Sequence, residues 1–302
     1  MAPSSPADAA DAGALTPFVF ERAAIRGAIA ALGPASRAIL AAHDYPPAVA
    51  RSLGELLAAA TLLAATLKLD GSLVVQMRGE GPLRLLVVEC TGALELRATA
   101  QWTPAAVAGL GDDASLAALA GNRNAARLVI TLDPRGGNLY QGIVELTGES
   151  IAASLEHYLD VSEQLPSRLV LGVEDGAASG LILQRLPASA SDEEDLWSGA
   201  LARLPAAAAV LRGHADKPLE LLPRLFGEQD VRVFEPRAVR FRCKCSRARA
   251  ENALRIAGLD EVEAALAADG RVEVTCEYCG RRYVFDPAAA VALFAPPPGA
   301  AH

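Results

Sequence analysis

Four cysteines near one end place the strongest constraint on this chain. They read Cys243-Lys244-Cys245, then a spacer over residues 246–275, then Cys276-Glu277-Tyr278-Cys279 followed by Gly280. Two short-spaced pairs supply four soft thiolates, the ligand set a tetrahedral zinc ion prefers, and binding them closes the intervening chain into a loop. The second pair has strand-like flanks at 271–275 and 281–285, which reads as a hairpin whose C-x-x-C-G turn presents two sulfurs to one point. Between the pairs, residues 247–257 and 261–268 read as helices, with Asp260 as N-cap of the second and Glu263 three residues on, a capping-box pattern. So small a segment has too little core to hold its fold without metal. One zinc ion per chain is therefore expected on Cys243, Cys245, Cys276 and Cys279.

The residues alone leave two roles open for such a site. One is a static zinc staple. The other is a site that responds to oxidants. Cys-Lys-Cys is tighter than the usual C-x2-C, so its thiols lie close together once metal leaves. Arg242, Lys244, Arg247, Arg249, Arg281 and Arg282 also crowd the ligands along the chain, which favours thiolate over thiol. Thiolates are the form that peroxide and hypochlorite attack. The fifth cysteine, Cys90, ends an apolar strand-like run by itself and reads as a small core hydrophobe.

Upstream of the cysteines, the hydrophobic period sets the fold class. A helix rich in Ala and Leu is expected from Pro47 to Lys68. Short runs of β-type residues follow at 73–77, 83–89 and 94–101, joined by Gly79-Glu80-Gly81-Pro82 and Thr91-Gly92. A second hairpin spans 127–132 and 140–146, a helix 149–163, and a last pair of strands 168–173 and 181–186. Hairpins with short turns imply antiparallel sheet, so the fold class is α+β: an N-terminal antiparallel sheet domain with helices, a helical linker and a small C-terminal zinc-binding module. The boundaries expected are a disordered extension over 1–16, the sheet domain over 17–188, the linker over 189–235, the zinc-binding redox-switch module over 236–290 and a tail over 291–302. The linker opens on the acidic run Ser189–Asp195 and holds helical pieces at 196–204, 206–214 and 218–226, broken by Pro205, Pro218 and Pro223. Pieces this short are marginal alone and need a surface to pack on.

Composition excludes several function classes. A formal net charge of -8 argues against a nucleic-acid binder, which needs an excess of Lys and Arg. Residues 231–285 carry 11 Lys and Arg against 8 Asp and Glu, or +3, and four zinc-bound thiolates bring about -2. The start of the chain has no basic-then-apolar leader, and the apolar stretch 53–69 contains Glu55 and Lys68 and is too short to span a bilayer. The expectation is a cytoplasmic protein with no membrane role, in a compartment where clustered cysteines bind metal or do redox chemistry. No enzyme site can be read: Gly79-x-Gly81 runs into Pro82, there is no Walker or G-x-S-x-G motif, and His43, His157, His214 and His302 are scattered.

The motifs together resemble one family. C-x-C, a thirty-residue spacer and C-x-x-C near the C-terminus are similar to the redox-regulated heat-shock holdase chaperones of about 33 kDa. The likeness extends to Gln76-Met77-Arg78-Gly79-Glu80-Gly81-Pro82-Leu83, to Tyr140-Gln141-Gly142-Ile143-Val144, to Ser162-Glu163-Gln164-Leu165-Pro166, and to Cys276-Glu277-Tyr278-Cys279-Gly280 with Tyr283, so it covers roughly residues 17–290. It implies a chaperone that uses no ATP, with zinc keeping the four cysteines reduced and the module folded. It further implies that oxidation releases zinc and joins Cys243 to Cys245 and Cys276 to Cys279 as disulfides. The module then unfolds, the linker loosens, and apolar surface is offered to unfolding client proteins during oxidative stress. Active members form homodimers. The N-terminal extension, Cys90 and the Ala-rich linker depart from the family pattern. Two rivals remain from the residues: a static zinc-ribbon protein, and a thiol–disulfide oxidoreductase built on Cys276 and Cys279, whose motif would open a helix in a βαβ unit.

Overall fold

The structure is a computed structural model that describes residues 12–67, 69–122, 125–146, 150–187, 193–213, 218–227 and 230–294. The chain divides into two compact units, the first ending at Arg242 and the second beginning at Cys243.

The first unit is built on one sheet. Its strands are β1 (Gly13–Phe20), β2 (Ile25–Ala31), β3 (Gly71–Arg78), β4 (Leu83–Thr91), β5 (Glu95–Trp102), β6 (Arg127–Pro134), β7 (Tyr140–Glu145), β8 (Ser167–Glu174), β9 (Ala177–Arg185), β10 (Val231–Val233) and β11 (Arg237–Phe241). They run in the order β7-β6-β3-β4-β5-β11-β1-β2-β9-β8, with β10 also paired to β1. Every pairing in this sheet is antiparallel except that of β11 with β5, which is parallel. The fold class is thus the α+β expected. The hairpins β3–β4–β5 and β6–β7, read from their turns, form as antiparallel pairs.

Two strands in the first thirty residues give no clear period. β2 lies between β1 and β9 and is buried along nearly its whole length. With both faces covered it carries no polar-out alternation. β1 includes Gly13 to Thr16, which the sequence reading assigned to a disordered extension, while residues 1–11 lie outside the described residues. Pro17 is tolerated because the outer partner of β1 changes there, from β11 at residues 13–15 to β10 at 18–20.

The helices of this unit are α1 (Gly33–Leu40), α2 (Pro47–Thr66), two short helices α3 (Pro104–Ala108) and α4 (Leu116–Ala120), α5 (Ile151–Val161), α6 (Glu193–Leu201), α7 (Leu204–Gly213) and α8 (Pro218–Phe226). Helix α2 is long and apolar enough to cross a membrane by length and composition, but 78% of its apolar window is buried in the fold. It packs with Leu53, Leu57 and Leu62 in the main core, beside Leu73, Val75, Leu86 and Ile182 of the sheet. Gly54 lets it approach closely: a Cβ there would meet Val173 Cγ2 at 2.6 Å.

The opposite face of the same strands carries a second core. Period-two alternation in β2 and β9 sends Ala28, Ala30, Ala178 and Ile182 to the main core and Ile25, Ile29, Leu181 and Leu183 to the other. There they meet Phe18 and Phe20 of β1 and, from α6, α7 and α8, Trp197, Ala200, Ala207, Leu211, Leu221, Leu222, Leu225 and Phe226. Fully burying a Leu or Phe is worth about 1.5–3 kcal/mol, so helices with little intrinsic stability are held by this contact. The segment read as a linker therefore belongs to the first unit and covers its sheet. Residues 237–241, assigned by sequence to the zinc module, are β11 of the sheet; register with β5 and β1 draws them in. Residues 188–192, including most of the expected acidic boundary, lie outside the described residues.

Candidate metal centre

The second unit holds α9 (Arg247–Ala257), α10 (Leu259–Asp269), the hairpin β12 (Val272–Thr275) and β13 (Arg282–Phe285), and α11 (Pro287–Ala292). Its buried apolar residues are few: Ala250, Leu254, Val262, Val272, Phe285 and Ala290. Arg247 lies over the Phe285 ring at 4.3 Å and closes one side of this core.

Local chemistry places each sulfur. Ser246, directly after the first pair, caps α9 by accepting from the Arg249 amide at 3.3 Å, so Cys243 and Cys245 sit on the extended approach to a helix. The second pair sits at the end of the β12–β13 hairpin. There the Cys276 amide donates to the Arg281 carbonyl and the Gly280 amide to the Cys276 carbonyl, each at 2.9 Å. Gly280 has φ +67°, the left-handed region that makes glycine the residue of choice after Cys279. Helix α10 starts differently from expectation. Gly258, at φ +98°, is its N-cap with no side-chain cap bond, and Asp260 lies in the first turn, where its charge complements the positive end of the helix dipole instead of capping.

These elements bring the four sulfurs within 4.8 Å of one another. Cys243 Sγ lies 3.6 Å from Cys276 Sγ, and Cys245 Sγ lies 3.4 Å from Cys279 Sγ. Four thiolates about 2.3 Å from one tetrahedral ion would stand about 3.8 Å apart, so the residues fit a single metal ion. Among the described residues no carboxylate or imidazole joins this cluster. The C-x-x-C sits in a hairpin, not at the start of a helix, which removes the helix-dipole activation on which a thiol–disulfide oxidoreductase relies.

The electrostatics of the cluster are uneven. Desolvation, with hydrogen bonds that the Cys243 thiol donates to the other sulfurs, pushes it up to about 12, against the Cys245 amide that donates to it. Desolvation acts the same way on Cys245, but donation from the Tyr283 hydroxyl, 3.1 Å away, and from the other sulfurs outweighs it and brings Cys245 down to about 7. Crowded thiols share protons, and holding all four as thiolates together requires a positive charge among them. Of the six cations thought to supply it, Arg281 interacts electrostatically with Cys245 and Cys279. Three others are engaged elsewhere: Arg242 with Glu95 at 2.9 Å, Arg282 with Glu273 at 3.6 Å and Arg247 with Glu251 at 3.5 Å. Sequence proximity overstated the cationic field because these three guanidiniums pair with carboxylates instead. Tyr283, conversely, carries nothing in the sequence beyond a motif match. Cys90 is fully buried in the main core, where desolvation pushes its thiol up to about 12, the inert environment expected of it.

With this geometry in hand, the relatives are informative. The chain is 42% identical over 269 residues to the 33 kDa chaperonin of Nitrosococcus oceani, covering 89% of this chain and 90% of that one. It is 43% identical over 281 residues to the 33 kDa chaperonin of Chromobacterium violaceum, covering 92% of each. Its fold matches the crystal structure of the 33 kDa chaperonin (heat shock protein 33 homolog) of Thermotoga maritima with a TM-score of 0.74 at 24% identity, over 93% of this chain and 97% of that one. The profile of the Hsp33 protein family matches residues 13–286, and the chain belongs to that family of chaperones.

Proposed function

We propose that this protein is an ATP-independent holdase, inactive while Cys243, Cys245, Cys276 and Cys279 hold one zinc ion, and activated when oxidation of those cysteines releases it. One observation carries the reading: four sulfurs converge in a unit whose buried core, among the described residues, is six residues. An all-thiolate, near-tetrahedral set suits zinc. Structural zinc is worth roughly 10–16 kcal/mol in modules of this kind, more than so small a core resists losing. Neighbour disulfides, Cys243 with Cys245 and Cys276 with Cys279, close very small loops and recover little of that stability.

The route from module to sheet runs along the chain. Cys243 follows Arg242, whose amide donates to the Leu96 carbonyl, and β11 joins β5 through only two registered pairs. β10 holds β1 through three. Short pairings of this kind are the first to fray when the chain beyond them unfolds. Loosening them frees α6, α7 and α8, and the aromatic and aliphatic face they cover becomes the surface offered to unfolding client proteins. The protein acts in the cytoplasm, without catalysis, and the oxidised form is a homodimer. The test is to treat zinc-loaded protein with peroxide and follow zinc release alongside aggregation of a denatured model protein. Suppression that tracks zinc release is the expected result; suppression that is equal before and after oxidation removes the switch.

A further inference from the structure

Hydrogen-bond donors are distributed unequally over the four sulfurs. Backbone amides serve two of them, Cys245 N on Cys243 and Arg281 N on Cys279. Cys245 instead receives a side chain: Tyr283 Oη lies 3.1 Å from its sulfur. The direction of this bond is fixed by its surroundings. Arg281 also hydrogen-bonds the Tyr283 hydroxyl, and a guanidinium only donates, so the phenol oxygen accepts from Arg281 and its single proton points to sulfur. Pairing of Tyr283 with Val274 on β12, and the turn at Gly280, hold the ring on the sulfur side of the hairpin.

We propose that Tyr283 is a positioning residue that sets the oxidation threshold of the cluster by restraining Cys245. The proposal rests on the redox reading above. A thiolate reacts with hydrogen peroxide through a sulfur lone pair, which forms the S–O bond as the O–O bond breaks and hydroxide leaves. Sulfur thereby gives up two electrons and becomes a sulfenic acid. A neighbouring thiolate then attacks that sulfur, the S–S bond forms, and the S–O bond breaks with loss of a second hydroxide. A hydrogen bond on Cys245 draws on the lone-pair density that the first step uses, so it slows attack. It also stabilises a cluster of anionic ligands toward metal, as outer-shell donors do. The hydroxyl of Tyr283 is the donor that a substitution can remove without touching the backbone.

The experiment compares wild-type and Tyr283→Phe full-length protein, both zinc-loaded, by the rate of zinc release against peroxide concentration. Loss of one hydrogen bond of ordinary strength should raise the slope of that line about 2- to 10-fold. Zinc affinity in chelator competition should fall, and mass spectrometry after brief oxidation should find modification enriched at Cys245. A purely structural role would look different: zinc loss would accelerate at zero peroxide while the slope stayed unchanged, and that outcome overturns the proposal. Equal slopes in a wild type that does release zinc on peroxide overturn it as well, leaving the switch intact. A wild type that binds no zinc, or keeps it under peroxide, overturns both.

Discussion

Phe226, the last residue of α8, meets Phe20 of β1 edge to face with ring centroids 5.2 Å apart at 73°, and Phe18 at 5.9 Å. It is 1% exposed, and it fastens the final helix of the 193–226 segment to the first strand of the sheet. The contact pins the end of that segment to the sheet.

If those helices mask the client surface, breaking one should expose it without oxidant. Leu211, 1% exposed in α7, and Leu222, 4% exposed in α8, both face the second core. Leu211→Pro or Leu222→Pro costs about 3 kcal/mol of helix stability. Either variant should keep its zinc, since all four cysteines lie further along the chain, and should suppress client aggregation while fully reduced. Silence from reduced, zinc-loaded proline variants would show that exposing this face is insufficient.

Replacing any one of Cys243, Cys245, Cys276 or Cys279 by Ser should abolish stoichiometric zinc, because three thiolates and a hydroxyl bind far less tightly than four thiolates. Cys90→Ala should leave zinc content unchanged, since that residue is wholly buried in the main core. Metal analysis of purified protein decides it. Full zinc content in Cys276→Ser would end the four-thiolate assignment.

Hydrogen exchange should report an order of events. On oxidation, protection should vanish first over residues 243–294, whose core is smallest, and then over 193–242. Strands β3 to β6 and helix α2, with the main core between them, should stay protected. Uniform protection before and after oxidation would identify the cluster as a static staple.

A pH dependence should come from the first unit. Burial raises the Glu55 carboxyl from 4.5 to about 7, opposed by Arg51 one turn earlier on α2. The folded state thus favours the protonated form. The stability this gives is full below pH 4.5 and is lost as pH rises to about 7. Near pH 8 the ionised carboxylate costs about 3 kcal/mol. Glu55→Gln should be more stable than wild type by about that amount in urea unfolding near pH 8, and no more stable near pH 4.5. A constant difference across the range would mean Glu55 is ionised throughout and balanced by Arg51.

Much of this protein was legible because some signals are local. The spacing of Cys243, Cys245, Cys276 and Cys279 gave their convergence, since a C-x-x-C-G turn in a hairpin allows little else. Turn chemistry located β3, β4, β5, β6 and β7, and the apolar run from Pro47 predicted α2. Other features depended on neighbours distant in sequence. β2 stayed hidden because burial on both faces erases alternation, and the residues of β1 and β2 become strands only beside β9, β10 and β11. The 236–242 segment looked like part of the cysteine module until pairing with β5 and β1 claimed it.

The division follows from the range of the forces. The sequence by itself determined which four cysteines come together, the α+β class and the short, proline-broken form of the 193–226 helices, because each depends on residue type and short-range spacing. Only the tertiary structure decided what those helices cover, which cation reaches the sulfurs, and that the Tyr283 hydroxyl donates to Cys245. Those outcomes turn on which faces meet once the sheet has closed, and no local propensity encodes that meeting.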